Sequence, residues 1–379
     1  MLFRLSVYRV KDPSLPVALG IVFSLALPHL NPFNKLLLCF LVFPIAYQHL
    51  PLFLLSAILP WVYHEKTLEL LSKTIFFTTA NSSIKEHIHF LYEKEVSHFF
   101  CTFFLGDDPH FFLQQTFQSV GLTHLLAISG FHFQALLSTF DLFVSKLAKG
   151  KIYFTMLVLI AIGYIGIVQL SPSVLRSFIS IQVALLAPLF QRIHYPKNTL
   201  YFSFVILFFL MPERIASNGS ALSFLATFGI LHYFEPLQKF LEPICLTKSL
   251  YWEKEIQNNL KRFLLGIVVL NLAVMLPTIP FVFLKIGSYP PVSLIMNLFV
   301  PTLMIPSLFL FILSLIFPFL APLNGWYTEK ILLLLETVPR PLTSNWDCPE
   351  HFYPLIETIL ILTIAFPIIR SCVKTADPF

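Results

Sequence analysis

Long apolar runs, broken by short polar or proline-marked interruptions, fill most of this chain, and their length predicts membrane-spanning helices rather than strands. Three short apolar segments open it, near 15–30, 35–48 and 50–63. Asn31-Pro32 and Pro51 punctuate them, because proline disfavours helix in the residue before it. From 119 onward apolar segments recur near 120–144, 152–169, 173–191, 198–212, 219–234, 261–284, 291–318 and 354–370. Tyr327–Val338 reads as a span, a re-entrant piece or an amphipathic helix, and the pattern does not choose. The long polar stretch is 64–118, with Glu65, Lys66, Lys73, Lys85, Glu86, Glu93, Lys94, Glu95, Asp107 and Asp108. One or two amphipathic helices, lying on or beside the membrane, are expected there. The fold class predicted is all-α: a polytopic membrane protein with about 10–11 transmembrane or half-spanning helices. Its expected parts are N-terminal transmembrane segments (1–63), a short extracytoplasmic region (64–118) and a transmembrane domain (119–379).

Composition excludes a soluble reading. Hydrophobic residues make up 56% of the 379 positions and charged residues only 12%, about half the charged share of a soluble domain; the mean hydropathy is +0.78. The net charge of +5 is modest, and its distribution says more. Lys146, Lys149 and Lys151 form one basic loop, Arg192 and Lys197 a second, and Lys239, Lys248, Lys254, Lys261 and Arg262 a third. Placing these inside the cell satisfies the positive-inside bias and puts 64–118 outside. Arg4, Arg9 and Lys11 precede an apolar stretch with no small-residue cleavage pattern after it, so a retained first span is expected. Cys39, Cys101, Cys245, Cys348 and Cys372 are scattered, which suggests neither a metal cluster nor a disulfide framework.

Polar groups inside the apolar runs are the candidate chemistry, because lipid penalises them unless they meet a partner or water. On a helix through 120–144, Gly130, Gln134, Ser138 and Asp141 form one narrow stripe, while His124 and His132, eight apart, share another face. Such a stripe faces other helices or a wet cavity, and helix packing explains it as well as a pathway does. Ser129-Gly130 is also a place for that helix to break. In Ser171-Pro172-Ser173-Val174-Leu175-Arg176, Pro172 suits a first helical turn, with Arg176 one turn in. A guanidinium at a helix centre costs about 2.5–3.5 kcal/mol, so Arg176 either snorkels from a helix end or serves as a fixed cation for phosphate. Prolines 277, 280, 290, 291, 301 and 306, with Asn297 among them, mark either freed carbonyls along a cavity or static kinks.

Enzyme signatures are missing. His87-Ile88-His89 begins like a metallo-hydrolase ligand set, but the remaining ligands do not follow. There is no H-E-x-x-H, G-x-S-x-G or phosphate loop. No catalytic activity, cofactor or metal is expected.

These strings resemble the ComEC family, the inner-membrane channel proteins of bacterial natural transformation. The resemblance runs through Leu105-Gly106-Asp107, Gly121-Leu122-Thr123-His124-Leu125-Leu126-Ala127-Ile128-Ser129-Gly130-Phe131-His132, Ser171–Arg176, Leu222-Ser223-Phe224-Leu225-Ala226 and the 276–306 run with Asn297. It covers roughly 97–315, the family's competence domain. The chain departs from the family in having 64–118 too short for the OB-fold domain many members carry and no metallo-β-lactamase-like domain. Ser220-Ala221 replace a common Phe-Gln, and Phe131 a usual Leu.

The resemblance implies a multi-pass protein of the bacterial inner membrane that passes one strand of incoming DNA to the cytoplasm. It implies a path lined or shaped by His124, Ser129, Gly130, His132, Gln134, Asp141, Arg176 and Asn297, with Gly106, Asp107 and Ser223 as motif support. Expected partners are single-stranded DNA, the lipid bilayer, cytoplasmic or periplasmic competence proteins that include a separate nuclease or motor, and a second copy of the chain. A polyanion fits a wet, cation-bearing route with sequence-tolerant contacts. The alternatives are a secondary transporter of a small anionic solute, which would share broken helices and a buried Arg, and an intramembrane hydrolase using His124, His132 and Asp107 or Asp108.

Overall fold

A computed structural model describes residues 75–126, 128–245, 252–339 and 346–374, with Ala18, Ile21 and Asn34. The three opening segments expected at 15–30, 35–48 and 50–63 lie outside the described residues apart from these three positions. The fold is all-α, as the apolar periodicity predicts. Four described helices are long and apolar enough to cross a membrane: Pro172–Leu189, Lys261–Ile286, Ser293–Ser314 and Glu350–Arg370. Gly150–Ile165 and Pro196–Leu210 are apolar but shorter.

Contacts divide the chain into two compact units, each assembled from separated stretches. The first comprises Lys66–Tyr195 and Tyr289–Trp346. It opens with α1 (Ile75–Leu91) and α2 (Lys94–Phe100), then a π-helical turn, Cys101–Leu105, closed by Gly106 at φ 83°. Next come α3 (Phe111–Ser119), the single turn α4 (Thr123–Leu126), α5 (Gly130–Leu147), α6 (Gly150–Ile165) and α7 (Pro172–Leu189).

The second unit comprises Met1–Glu65, Pro196–Ser288 and Asp347–Phe379. Its helices are α8 (Pro196–Leu210), the short α9 (Pro212–Ile215), α10 (Asn218–Cys245) and α11 (Trp252–Ile286). The first unit resumes with α12 (Ser293–Ser314) and α13 (Ala321–Glu336), and α14 (Tyr353–Lys374) ends the second. Two-residue strands β1 (Ser288–Tyr289) and β2 (Trp346–Asp347) pair with each other.

In the second unit, α10 packs along α11, and α11 along α14. Gly229 makes the first pairing possible, since a Cβ there would overlap the Ala273 carbonyl oxygen. Small residues at such crossings are how apolar helices approach in lipid. Prolines 277 and 280 lie inside α11, and 301 and 306 inside α12; both helices run on through them.

The region 64–118 does more than lie on a surface. Phe99, Phe100, Phe103, Phe104 and Leu105 are almost completely buried and join Phe117, Leu122, Phe133, Met304 and Phe311 in one core cluster. The charged residues that made the region read as amphipathic flank this aromatic run. Burying roughly 150–250 Å² per aromatic ring outweighs them.

Candidate functional site

The expected helix through 120–144 does not exist as one element. Residue 122 and residues 128–129 are non-helical, so α4 and α5 are separate, and the common face assigned to His124 and His132 lapses. The reason is local: Ser129 is extended (φ −138°, ψ −178°) as the N-cap of α5. Its backbone N–H donates to Nδ1 of His132 at 3.1 Å, the reciprocal half of a capping box. The break at Ser129-Gly130 is therefore the one of the two expectations that the structure realises.

His132 is 1% exposed, its ring edge-to-face on Phe103 at 4.4 Å between centroids. Accepting from Ser129 leaves the proton on Nε2 by inference, and that atom is buried without a hydrogen-bond partner. His132 is thus a helix-capping core residue, turned away from any surface.

α7 starts beside this break. The Ser171 hydroxyl accepts from the Val174 N–H at 3.3 Å, and Pro172 occupies the first turn, as its fixed φ suits. The Ser173 hydroxyl donates to the Ile128 carbonyl at 3.2 Å, tying α7 to the segment between α4 and α5. Arg176 is 7% exposed; its Nη2 donates to Ser177 Oγ at 3.1 Å, and the Gly130 backbone stands against the same two side chains. The N-termini of α5 and α7 therefore meet at Gly130. The positive ends of the two helix dipoles and one guanidinium make this corner electropositive.

Gly121 performs a second junction. It has φ 72°, and a Cβ would stand 2.5 Å from Ser293 Cβ and 2.8 Å from Pro290 Cγ, so the α3–α4 turn lies directly on the start of α12. Three residues along, His124 reaches the side chain of Asn297 and the Gly121 backbone. His124 is exposed.

The motif at 105–107 closes the corner from a third side. The Gln169 N–H donates to the Leu105 carbonyl at 3.0 Å, Gly106 lies against Ile128, and Asp107 pairs with Lys85 at 2.8 Å. Sequence-distant strings at 105–107 and 171–176 thus converge on residues 128–130 at the start of α5, while 290–297 packs on residues 121–124 earlier in the same motif. Lys146, Lys149 and Arg192 lie at or just beyond the other ends of α5 and α7.

The stripe on α5 divides by depth. Gln134 and Ser138 are exposed and Gly130 half-buried; Asp141 accepts a hydrogen bond from the Tyr153 hydroxyl at 2.6 Å, which fixes α5 to α6. Ser223 lies on α10, half-buried in the second unit, where its carbonyl accepts from Thr227 Oγ1 at 3.0 Å. Among the described residues no group of three His, Cys, Asp or Glu side chains is placed to hold a metal.

A buried polar ladder escaped the sequence reading. Asn324 Nδ2 donates to the Tyr92 hydroxyl at 2.9 Å, Tyr92 also bonds Ser314, and Thr328 bonds Ser307 at 2.8 Å. Asn324, Thr328, Ser307 and Ser314 are fully buried, and they fasten α13 and the α1–α2 turn to α12. The signal was present in Asn324 and Thr328, four apart in an otherwise apolar helix.

Compared with known proteins, residues 110–371 match a family model described as "Competence protein". No curated protein and no solved structure matches the chain significantly.

Proposed function

Because the chain belongs to the competence protein family, we propose that it forms the membrane channel through which single-stranded DNA enters the cell during transformation. The observation that carries this reading is the corner at Gly130. The 105–107, 128–130 and 171–176 strings meet there around two helix N-termini, whose dipoles with Arg176 give a local excess of positive potential suited to a phosphate chain. The basic loops lie at the opposite ends of α5 and α7, so the positive-inside bias puts this corner at the outer mouth. His124, Asn297, Gln134 and Ser138, which are exposed or half-buried, are the path-facing candidates. His132 and Arg176 act by holding that wall in place. On this reading the chain sits in the bacterial inner membrane and breaks no bond; strand degradation and pulling belong to a separate nuclease or motor.

The test uses a deletion strain complemented with wild-type chain or with the double variant His124→Ala, Asn297→Ala. Uptake of labelled DNA should disappear on deletion, return with the wild type, and fall at least tenfold in the double variant at equal membrane abundance. A deletion strain that imports DNA normally but loses import of a small anion would replace the channel by a solute transporter.

A further inference from the structure

A group of imidazoles outside the motif corner plays no part in the reading above. His98 on α2 and His110, the residue before α3, are hydrogen-bonded ring to ring, Nδ1 to Nε2, at 3.1 Å. Their centroids are 4.0 Å apart, with planes at 59°. His89, on α1, stands edge-on to His98 at 5.5 Å between centroids, and its Nδ1 is 2.9 Å from Ser97 Oγ. His98 is half-buried, while His110 and His89 are exposed, so protons from solvent reach all three rings.

A hydrogen bond between imidazoles needs a lone pair on one ring and an N–H on the other. It forms between neutral rings and survives the first proton, because one lone pair remains. A second proton puts an N–H on both facing nitrogens. The bond is then lost, and two cations are left 4.0 Å apart. Burial, with the basic neighbours His110, His89 and Lys94, holds the His98 imidazole below its ordinary pKa. No carboxylate is among the groups that act on it. Asp107 is paired with Lys85 of α1; Glu86, Glu93, Glu95 and Asp108 are exposed, as are Glu329, Lys330 and Glu336 on α13, which packs on α2 and α3. The sign follows from the depressed pKa. The fold favours the neutral ring, so this contribution is complete above the ordinary imidazole value of about 6.5 and is lost as pH falls below it.

We propose that the His98–His110 bond is a pH-operated clasp, closed at neutral pH and opened when both rings are protonated, which then loosens the chain between them. That chain holds the buried run from Phe99 to Leu105 and Gly106, which lies against Ile128 at the motif corner. The Gln169 N–H on the Leu105 carbonyl and the Lys85–Asp107 pair do not involve these histidines, so the elbow between α2 and α3 slackens without unfolding. On the channel reading, from which this consequence follows, acidification at the outer face slackens one wall of the mouth.

The test is hydrogen exchange by mass spectrometry on the purified full chain in detergent, at about pH 7.5 and about pH 5, either side of the imidazole range. Rates are corrected for the pH dependence of intrinsic exchange. Amide protection over residues 98–111 should fall about threefold or more at the lower pH, as losing one hydrogen bond implies. It should fall equally in His87→Ala, which changes an exposed histidine outside the trio. His98→Gln and His110→Gln cannot take up the second proton, so each should show the same protection at both pH values. Both positions are at least partly exposed, so neither substitution strikes the core. Equal protection of the wild type at the two pH values, or a fall that persists in both glutamine variants, overturns the proposal. The readout is independent of DNA uptake, so the channel reading stands or falls separately.

Discussion

Gly121 and Gly130 belong to one contiguous motif, yet the structure assigns them opposite sensitivities. A methyl at Gly121 meets two penalties. Its φ of 72° is left-handed, costing an L-residue roughly 1–2 kcal/mol, and the added Cβ would come within 2.5 Å of Ser293 and 2.8 Å of Pro290. Both obstacles are backbone-anchored atoms at the start of α12, which cannot rotate away. Overpacking of this kind costs about 1–3 kcal/mol, so Gly121→Ala should destabilise by about 2–5 kcal/mol in total. At Gly130 the backbone is helical, and the nearest atoms to a new Cβ are Ser177 Oγ at 3.5 Å and Arg176 Nη2 at 4.0 Å. That is ordinary contact, and alanine regains up to about 0.5–1 kcal/mol of helix propensity. Thermal unfolding of the purified variants in detergent, with membrane abundance in cells, measures the contrast. Gly121→Ala should melt well below wild type, whereas Gly130→Ala should match or slightly exceed it. If Gly121→Ala melts with the wild type, or Gly130→Ala falls as far, the placement of α12 on the α3–α4 turn is wrong.

Three further outcomes follow from the same contacts. His132→Ala removes an N-terminal cap and opens space beside Phe103; a loss of about 1–3 kcal/mol is expected. Quantitative blotting should show uptake falling only as far as protein abundance falls. An activity loss at full abundance would return His132 to the path. Asn324→Ala strips a donor from the buried Tyr92 hydroxyl and should cost about 1–3 kcal/mol. Leu323→Ala, an exposed neighbour on the same helix, serves as the control and should leave the melting temperature near wild type. Asp107→Asn breaks a partly exposed pair with Lys85 and should cost under about 1 kcal/mol, with any drop in melting temperature shrinking as salt is raised.

Much of the architecture is determined by the sequence alone. Apolar runs of membrane length cannot satisfy their backbone in lipid except as helices, so the helical class and the segments α6, α7, α8, α11, α12 and α14 are legible directly. Pro172 one residue after Ser171 likewise reads as a helix start, because a fixed φ and a side-chain acceptor are local properties. What the sequence does not contain is which groups face one another. His124 and His132 look alike in a string, yet Ser129 breaks the helix between them and sends one to an exposed wall and the other into the core. Arg176 reads either as a cation snorkelling from a helix end or as one fixed for phosphate, and only packing shows it covered by its neighbours. The aromatic run at 99–105 hides behind flanking charges until the π-helical turn buries it. His98 and His110 are twelve positions apart with nothing periodic to join them, and only the turn between α2 and α3 brings their rings into hydrogen-bonding distance. Local steric and solvation rules fix the elements, whereas the chemistry depends on distances between residues far apart in the chain, and those are set by packing.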